Sequence, residues 1–273
     1  MSVDFERRFG GLRRLYGMEA SQRIFDAHVV VVGIGGVGSW AVEALARSGV
    51  RRLTLIDMDH VSESNINRQI HALDTTLGQS KVLAMRERIA QFHPACVVDV
   101  IDDFVTPENW PQALEALGVE VDAGGLGLID ACDQVRAKTA LAAWALNQRV
   151  PLVTVGAAGG KRQAHAVDMA DLADTTHDPL LAQLRYRLRK HHGAARTGRI
   201  GVNCVFSREA VAAPDASCQL DAGDGSLNCH GYGSAVSVTA TFGLCAAGAL
   251  MNVLANNAHK IPSSLQKDPK MTL

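Results

Sequence analysis

Two rhythms of apolar residues alternate along this 273-residue chain. Short unbroken runs of β-branched residues read as buried parallel strands, and Ala- and Leu-rich stretches at helical spacing lie between them. The first run is His28-Val29-Val30-Val31-Val32. Ser39 to Ser48 follows with helical spacing and Gly49 as its stop, and Arg52 to Ile56 is the next strand. Together they make a βαβ unit of about 30 residues. The same alternation predicts a helix over 79–92, strands at Cys96 to Ile101 and Gly127 to Asp130, a helix over Lys138 to Gln148 and a strand over Val150 to Val155. A short helix is predicted after Thr106-Pro107, and residues 1–28 read as an amphipathic helical arm.

The pattern changes near residue 165. Residues 211–228 read as a long polar loop, and the sheet is expected to resume over Gly201 to Phe206. Ala235 to Ala255 carries no charge and is long enough to cross a bilayer. Its many Ser, Thr, Gly and Ala residues favour a buried helix of a compact domain instead. The expected fold is therefore α/β: a Rossmann-like, doubly wound, mostly parallel sheet with a C-terminal elaboration. One domain over 1–273 is expected, with an N-terminal arm (1–28), a nucleotide-binding core (29–160) and a substrate-facing part with the apolar helix (161–273).

Composition adds little to this and excludes some classes. A net charge of −1 makes no global electrostatic claim on nucleic acid or membrane, so any basic surface is local. No two of the six cysteines are spaced as CxxC, which argues against a four-cysteine zinc clip. The charged start of the chain lacks an apolar signal stretch, and a cytoplasmic location with reduced thiols is expected.

The chemistry begins directly after the first strand. Gly33, Gly35, Gly36 and Gly38 put four glycines in six positions between a strand and a helix. Such a loop turns tightly and lets backbone N–H groups meet phosphate at a helix N-terminus. Asp57, at the end of the next strand, suits a ribose. Asp59, two residues on, is expected on the same side. Asn65, Arg68 and Lys81 add an amide and two cations. Cations beside a phosphate loop suit a triphosphate whose charge must be neutralised for attack at the α-phosphate. Hydride transfer has no need of them. Asp133, ending a later strand, is placed to hold a magnesium ion.

Ser64-Asn65-Ile66-Asn67-Arg68-Gln69, followed by Gly78-Gln79-Ser80-Lys81, resembles the SNxxRQ…GxxK stretch of ubiquitin-activating-type adenylating enzymes. The resemblance implies that Asn65, Arg68 and Lys81 contact ATP phosphates, that Asp57 and Asp59 hold ribose and metal, and that Asp133 binds magnesium. Gln134 departs from the usual Asp-Asn pair. Arg8-Phe9-Gly10-Gly11, Arg14-Leu15-Tyr16-Gly17, Asp102 to Pro107, Asn203 to Ser207 and Asn228 to Gly243 are similar to blocks of the tRNA threonylcarbamoyladenosine dehydratases. This similarity implies ATP-dependent adenylation of a nucleoside carboxylate, then ring closure with loss of water. It also implies a homodimer in which Arg14 acts across the interface, with Arg8 as the competing residue. Cys229 is implied as a catalytic or sulfur-accepting thiol, with a cysteine desulfurase as partner. Arg185, Arg187, Arg189 and Lys190 form the densest positive stretch and are expected to contact tRNA phosphates. Activation of a ubiquitin-like sulfur carrier, or an NAD-dependent oxidoreduction, would use the same loop.

Overall fold

The computed structural model describes residues 4–119, 121, 125–215 and 232–256. Its centre is a seven-stranded sheet in the order β3-β2-β1-β4-β5-β7-β6. The strands are β1 (His28–Val32), β2 (Arg52–Ile56), β3 (Val97–Ile101), β4 (Leu126–Asp130), β5 (Leu152–Val155), β6 (Val167–Asp171) and β7 (Asn203–Ser207). All pairings are parallel except β6 with β7.

The all-apolar β1 works because both of its faces are covered. Val29 and Val31 enter one core and Val30 and Val32 the other. The first core lies beneath α3 (Met18–Asp26), α4 (Gly38–Arg47), α5 (Lys81–Phe92) and α9 (Val236–Asn256). The second lies beneath α6 (Gln112–Glu115), α7 (Val135–Gln148) and α8 (Pro179–His191). The uncharged stretch is thus a core helix. Val238, Phe242, Ala246, Leu250 and Leu254 of α9 are buried, and Gly243 brings it against α4 so closely that a Cβ there would lie 2.3 Å from the Val37 carbonyl oxygen.

Two expectations change. The N-terminal arm is three short helices, α1 (Phe5–Phe9), α2 (Gly11–Tyr16) and α3, because Gly10 and Gly17 break it. The stretch after residue 165 hides a strand: β6 is half-buried and polar at Asp168 and Asp171, an edge-strand pattern without the apolar run of the central strands.

Two imidazoles, His28 half-buried and His71 buried, make this fold sensitive to acid. Burial, aided by Arg52, pushes His28 down to about 4. Burial, aided by Lys81 and Arg88, does the same to His71, whose ring nitrogens have no hydrogen-bond partner. Between pH 6.5 and 4 the unfolded chain binds these protons and the folded chain does not. Their stabilisation is complete above pH 6.5 and is lost as pH falls through that window, by up to about 1.4 kcal/mol per pH unit for each ring. Urea unfolding at pH 7.5 and pH 5 should show this loss, and His71→Gln should flatten the slope. An unchanged slope in that variant would remove His71 from the account.

Candidate nucleotide-binding site

The strand order reverses between β1 and β4, and the loops that leave the C-terminal ends of the parallel strands open a crevice there. A cavity of about 450 Å³ fills it. Its walls include Val32, Ile56, Ala131 and Gly156, at or just past the ends of β1, β2, β4 and β5.

The glycine loop forms one wall. Gly33 has φ +86°, and a Cβ there would sit 2.9 Å from the Ala131 carbonyl. Gly38 opens α4 so tightly that a Cβ would lie 1.8 Å from the Gly33 oxygen. Gly35 and Gly36 line the cavity between them, and Gly36 lets the Arg68 stem approach. The α4 N-terminus therefore faces the cavity through bare backbone, which suits phosphate.

Asp57 is buried and holds this loop in place. Its Oδ2 accepts from the Ile34 N–H at 2.6 Å and its Oδ1 from the Asp59 N–H at 2.8 Å. Burial pushes its carboxyl above the usual carboxylate range, against the opposing pull of Lys81 and the two backbone donors. Asp59 does not share a strand face with Asp57, as its spacing had implied. β2 ends at Ile56, and the hydrogen bond back to Asp57 turns the chain. Asp59 instead meets Lys81, whose Nζ lies 2.6 Å from its Oδ2. Both carboxylates still line the cavity.

The motif around Asn65 is a compact turn. Asn65 Oδ1 accepts from the Ser62 N–H, and the Asn65 carbonyl accepts from the N–H groups of Arg68 and Gln69. This folds Asn65, Arg68 and Gln69 into the cavity wall, and all three are buried. The Arg68 guanidinium is aimed by the Ser64 carbonyl at 2.6 Å and Asn67 Oδ1 at 2.8 Å, while Trp40 Nε1 donates to the Arg68 carbonyl. Lys81, the first residue of α5, is buried at the same wall. The spacing of the sequence motif thus makes one surface that brings two cations into the same cavity as the glycine loop.

Asp133 is exposed at the mouth of the cavity, with Gln134 beside it. No cluster of three metal-binding side chains exists among the described residues. A single carboxylate does not make a protein cage. It does fit magnesium carried in on nucleotide phosphates, an ion that usually keeps most of its water and phosphate ligands.

Several lining residues were not singled out from sequence. Phe104, Val105 and Thr106 leave the end of β3, and Ala157, Ala158 and Gly159 leave β5. The rule that ligands bind at strand C-termini points to both loops. Gln69 Oε1 is buried in this wall without a partner. Thr239 comes from α9, and no sequence signal links it to a site nearly two hundred residues upstream.

Other expected residues lie elsewhere. Arg14 is exposed on α2 and outside the cavity of its own chain, whereas Arg8 is committed to the Phe92 carbonyl at 2.6 Å. Arg185 is also committed, through Nη1, to Leu172 O and to Thr175 O and Oγ1 at 2.9–3.0 Å. Arg189 Nε donates to Ala195 O. Arg185 through Nη1 and Arg189 through Nε thus brace the polypeptide, and each guanidinium keeps further N–H donors. Cys229 lies outside the described residues.

A phosphate-ready helix terminus, a buried carboxylate beneath it and two aimed cations define a nucleotide-binding site of adenylating type. The family model for the ThiF family matches residues 8–270. The chain is 47% identical over 270 residues to the tRNA threonylcarbamoyladenosine dehydratase of Escherichia coli strain K12, covering 95% of this chain and 98% of that one. It is 40% identical to the dehydratase of Haemophilus influenzae over 92% and 94% of the two chains. The crystal structure of the E. coli dehydratase, TcdA, in complex with ATP superposes with a TM-score of 0.80 at 45% identity, covering 93% of this chain and 96% of that one. The chain belongs to the ThiF family and, within it, to the tRNA threonylcarbamoyladenosine dehydratases.

Proposed function

We propose that this enzyme binds ATP in the 450 Å³ cavity and uses it to dehydrate threonylcarbamoyladenosine beside the anticodon of tRNA. The observation that carries this reading is the pair of buried cations, Arg68 and Lys81, lining one cavity with the glycine loop in a chain related over nearly its whole length to the dehydratases. The threonyl carboxylate attacks the α-phosphorus and pyrophosphate leaves. A nitrogen or oxygen of the ureido group then attacks the activated carbonyl, the ring closes and AMP leaves. The net change is loss of one water from the nucleoside. Closure is intramolecular, so positioning supplies much of the acceleration. Arg68 and Lys81 spread the charge that builds on the phosphates. Asp57 orients the ribose side and keeps the loop closed. Magnesium, bound with the nucleotide, supplies further charge neutralisation, and Asp133 is the residue that would hold it.

The whole chain acts as one adenylating unit in this reading, and the continuity of a single sheet from β3 to β6 supports that. A cytoplasmic setting is supported by the free thiols of Cys96, Cys132, Cys204 and Cys245. Arg14 is supplied to the site by a second copy of the chain. It is exposed and flanked by Leu15 and Met18, which are 76% and 65% exposed and give that face an apolar contact surface. Mixing Arg14→Ala chains with Lys81→Met chains should restore part of the activity that each variant lacks alone. No recovery would place Arg14 outside the partner's site.

The decisive experiment incubates the protein with ATP, magnesium and tRNA bearing threonylcarbamoyladenosine, followed by mass spectrometry of the digested nucleosides. A product lighter by one water, absent with Asp133→Ala, is expected. An unchanged nucleoside, under conditions where ATP binds, would favour adenylation of a carrier protein instead.

A further inference from the structure

α8 begins at the nucleotide cavity, where Leu180 is part of the wall, and runs outward from it. Asp178 caps its N-terminus by accepting from the Leu181 N–H, and Leu180, Leu181, Leu184 and Leu188 bury its inner face. From Pro179 to Arg208 the chain carries no acidic residue. With Arg185 and Arg189 tied to carbonyls, the outer face presents Arg187, Lys190 and one aromatic ring. That ring is Tyr186, 61% exposed, with the Lys190 ammonium 5.4 Å from its centroid. An exposed aromatic ring with a cation beside it makes a surface for a flat, electron-rich partner that carries phosphate. At 1.5 Å rise per residue, Tyr186 lies about 9 Å along the helix from Leu180.

We propose that Tyr186 is a stacking platform for an unpaired base of the tRNA anticodon loop, with Lys190 and Arg187 on the adjoining phosphates. This rests on the tRNA reading above and adds a residue that selects single-stranded RNA. Phosphate contacts position a nucleic acid, and an aromatic face grips an unstacked base. The distance suits the geometry: a nucleoside fixed at the cavity has loop neighbours within reach of the outer face of α8.

The test measures binding and turnover of tRNA bearing threonylcarbamoyladenosine by the full chain. Tyr186→Ala should weaken tRNA affinity, and raise KM for tRNA, by about 5- to 100-fold, the range for losing one stacked base. The KM for ATP and the kcat should stay within twofold, and Tyr186→Phe should bind as the wild type does. Tyr186→Ala should leave the slope of log affinity against log salt unchanged, whereas Arg187→Ala should reduce it by about one. Wild-type affinity in Tyr186→Ala, or equal losses in Tyr186→Ala and Tyr186→Phe, would overturn the proposal while the tRNA reading stands. A wild-type chain that neither binds nor dehydrates this tRNA would overturn both.

Discussion

Lys81→Met should cut turnover by about 10²- to 10³-fold while leaving the fold intact. The magnitude is that of removing one preorganised charge or donor aimed at a transition state in a water-poor site. The reason for assigning it to Lys81 is geometric. The side chain is buried at the cavity wall, and its ammonium is fixed 2.6 Å from Asp59 Oδ2, so no reorganisation is needed as charge develops. Methionine keeps the apolar stem and removes only the charge. Stability should change little, because the Asp59 carboxylate is 55% exposed and water replaces the lost partner. The effect should fall mainly on kcat, measured as AMP and pyrophosphate released with the modified tRNA. Turnover within a few-fold of wild type would mean that Arg68 and the α4 N-terminus handle the phosphate charge without it.

The second large effect is on stability. Lys138 and Asp130 form an ion pair at 3.1 Å, and both side chains are fully buried. Burial pulls the Lys138 ammonium down, and Asp130, Cys132 and Asp178 together more than offset it, so the ammonium is held above its ordinary range. Thr154 Oγ1 donates to the other carboxylate oxygen, and Lys138 Nζ also donates to the Asp130 carbonyl at 3.3 Å. This network secures the end of β4, where the chain turns to present Asp133 to the cavity. Lys138→Met strands a buried carboxylate, which costs about 3–5 kcal/mol. At about 2–4 °C per kcal/mol for a chain of this class, the melting temperature should fall by roughly 6–20 °C. Adding Asp130→Asn should recover most of the loss, because the double variant buries no unpaired charge. A single variant as stable as the wild type would show that water reaches Asp130.

A pair of this kind shows where reading the sequence stops. Asp130 and Lys138 are eight residues apart, and an eight-residue separation gives no sign that one ends a strand and the other sits one turn into the next helix with no solvent between them. The same holds for Arg185 and Arg189. In sequence they belong to a uniform basic run, and only the fold shows that nearby carbonyls occupy them while Lys190 and Tyr186 remain outside. β6 escaped notice because Asp168 and Asp171 fall on opposite faces of the strand and leave it no apolar run.

What the amino-acid order determined by itself was local and periodic. Unbroken β-branched runs can be satisfied only by a sheet covered on both faces, so the parallel core and its strand C-termini were legible. That the glycine loop, Asp57, Asn65, Arg68 and Lys81 line one cavity was legible too, because short-range spacing ties each of them to the end of a neighbouring strand or the start of a helix. Tertiary structure alone decided what depends on distance through space. It placed Thr239 of α9 in the cavity, turned Asp59 away from Asp57 and onto Lys81, and held Arg14 away from the cavity of its own chain. The physical reason is that periodicity fixes which face a residue occupies, while the identity of the group opposite that face is set by how the layers pack.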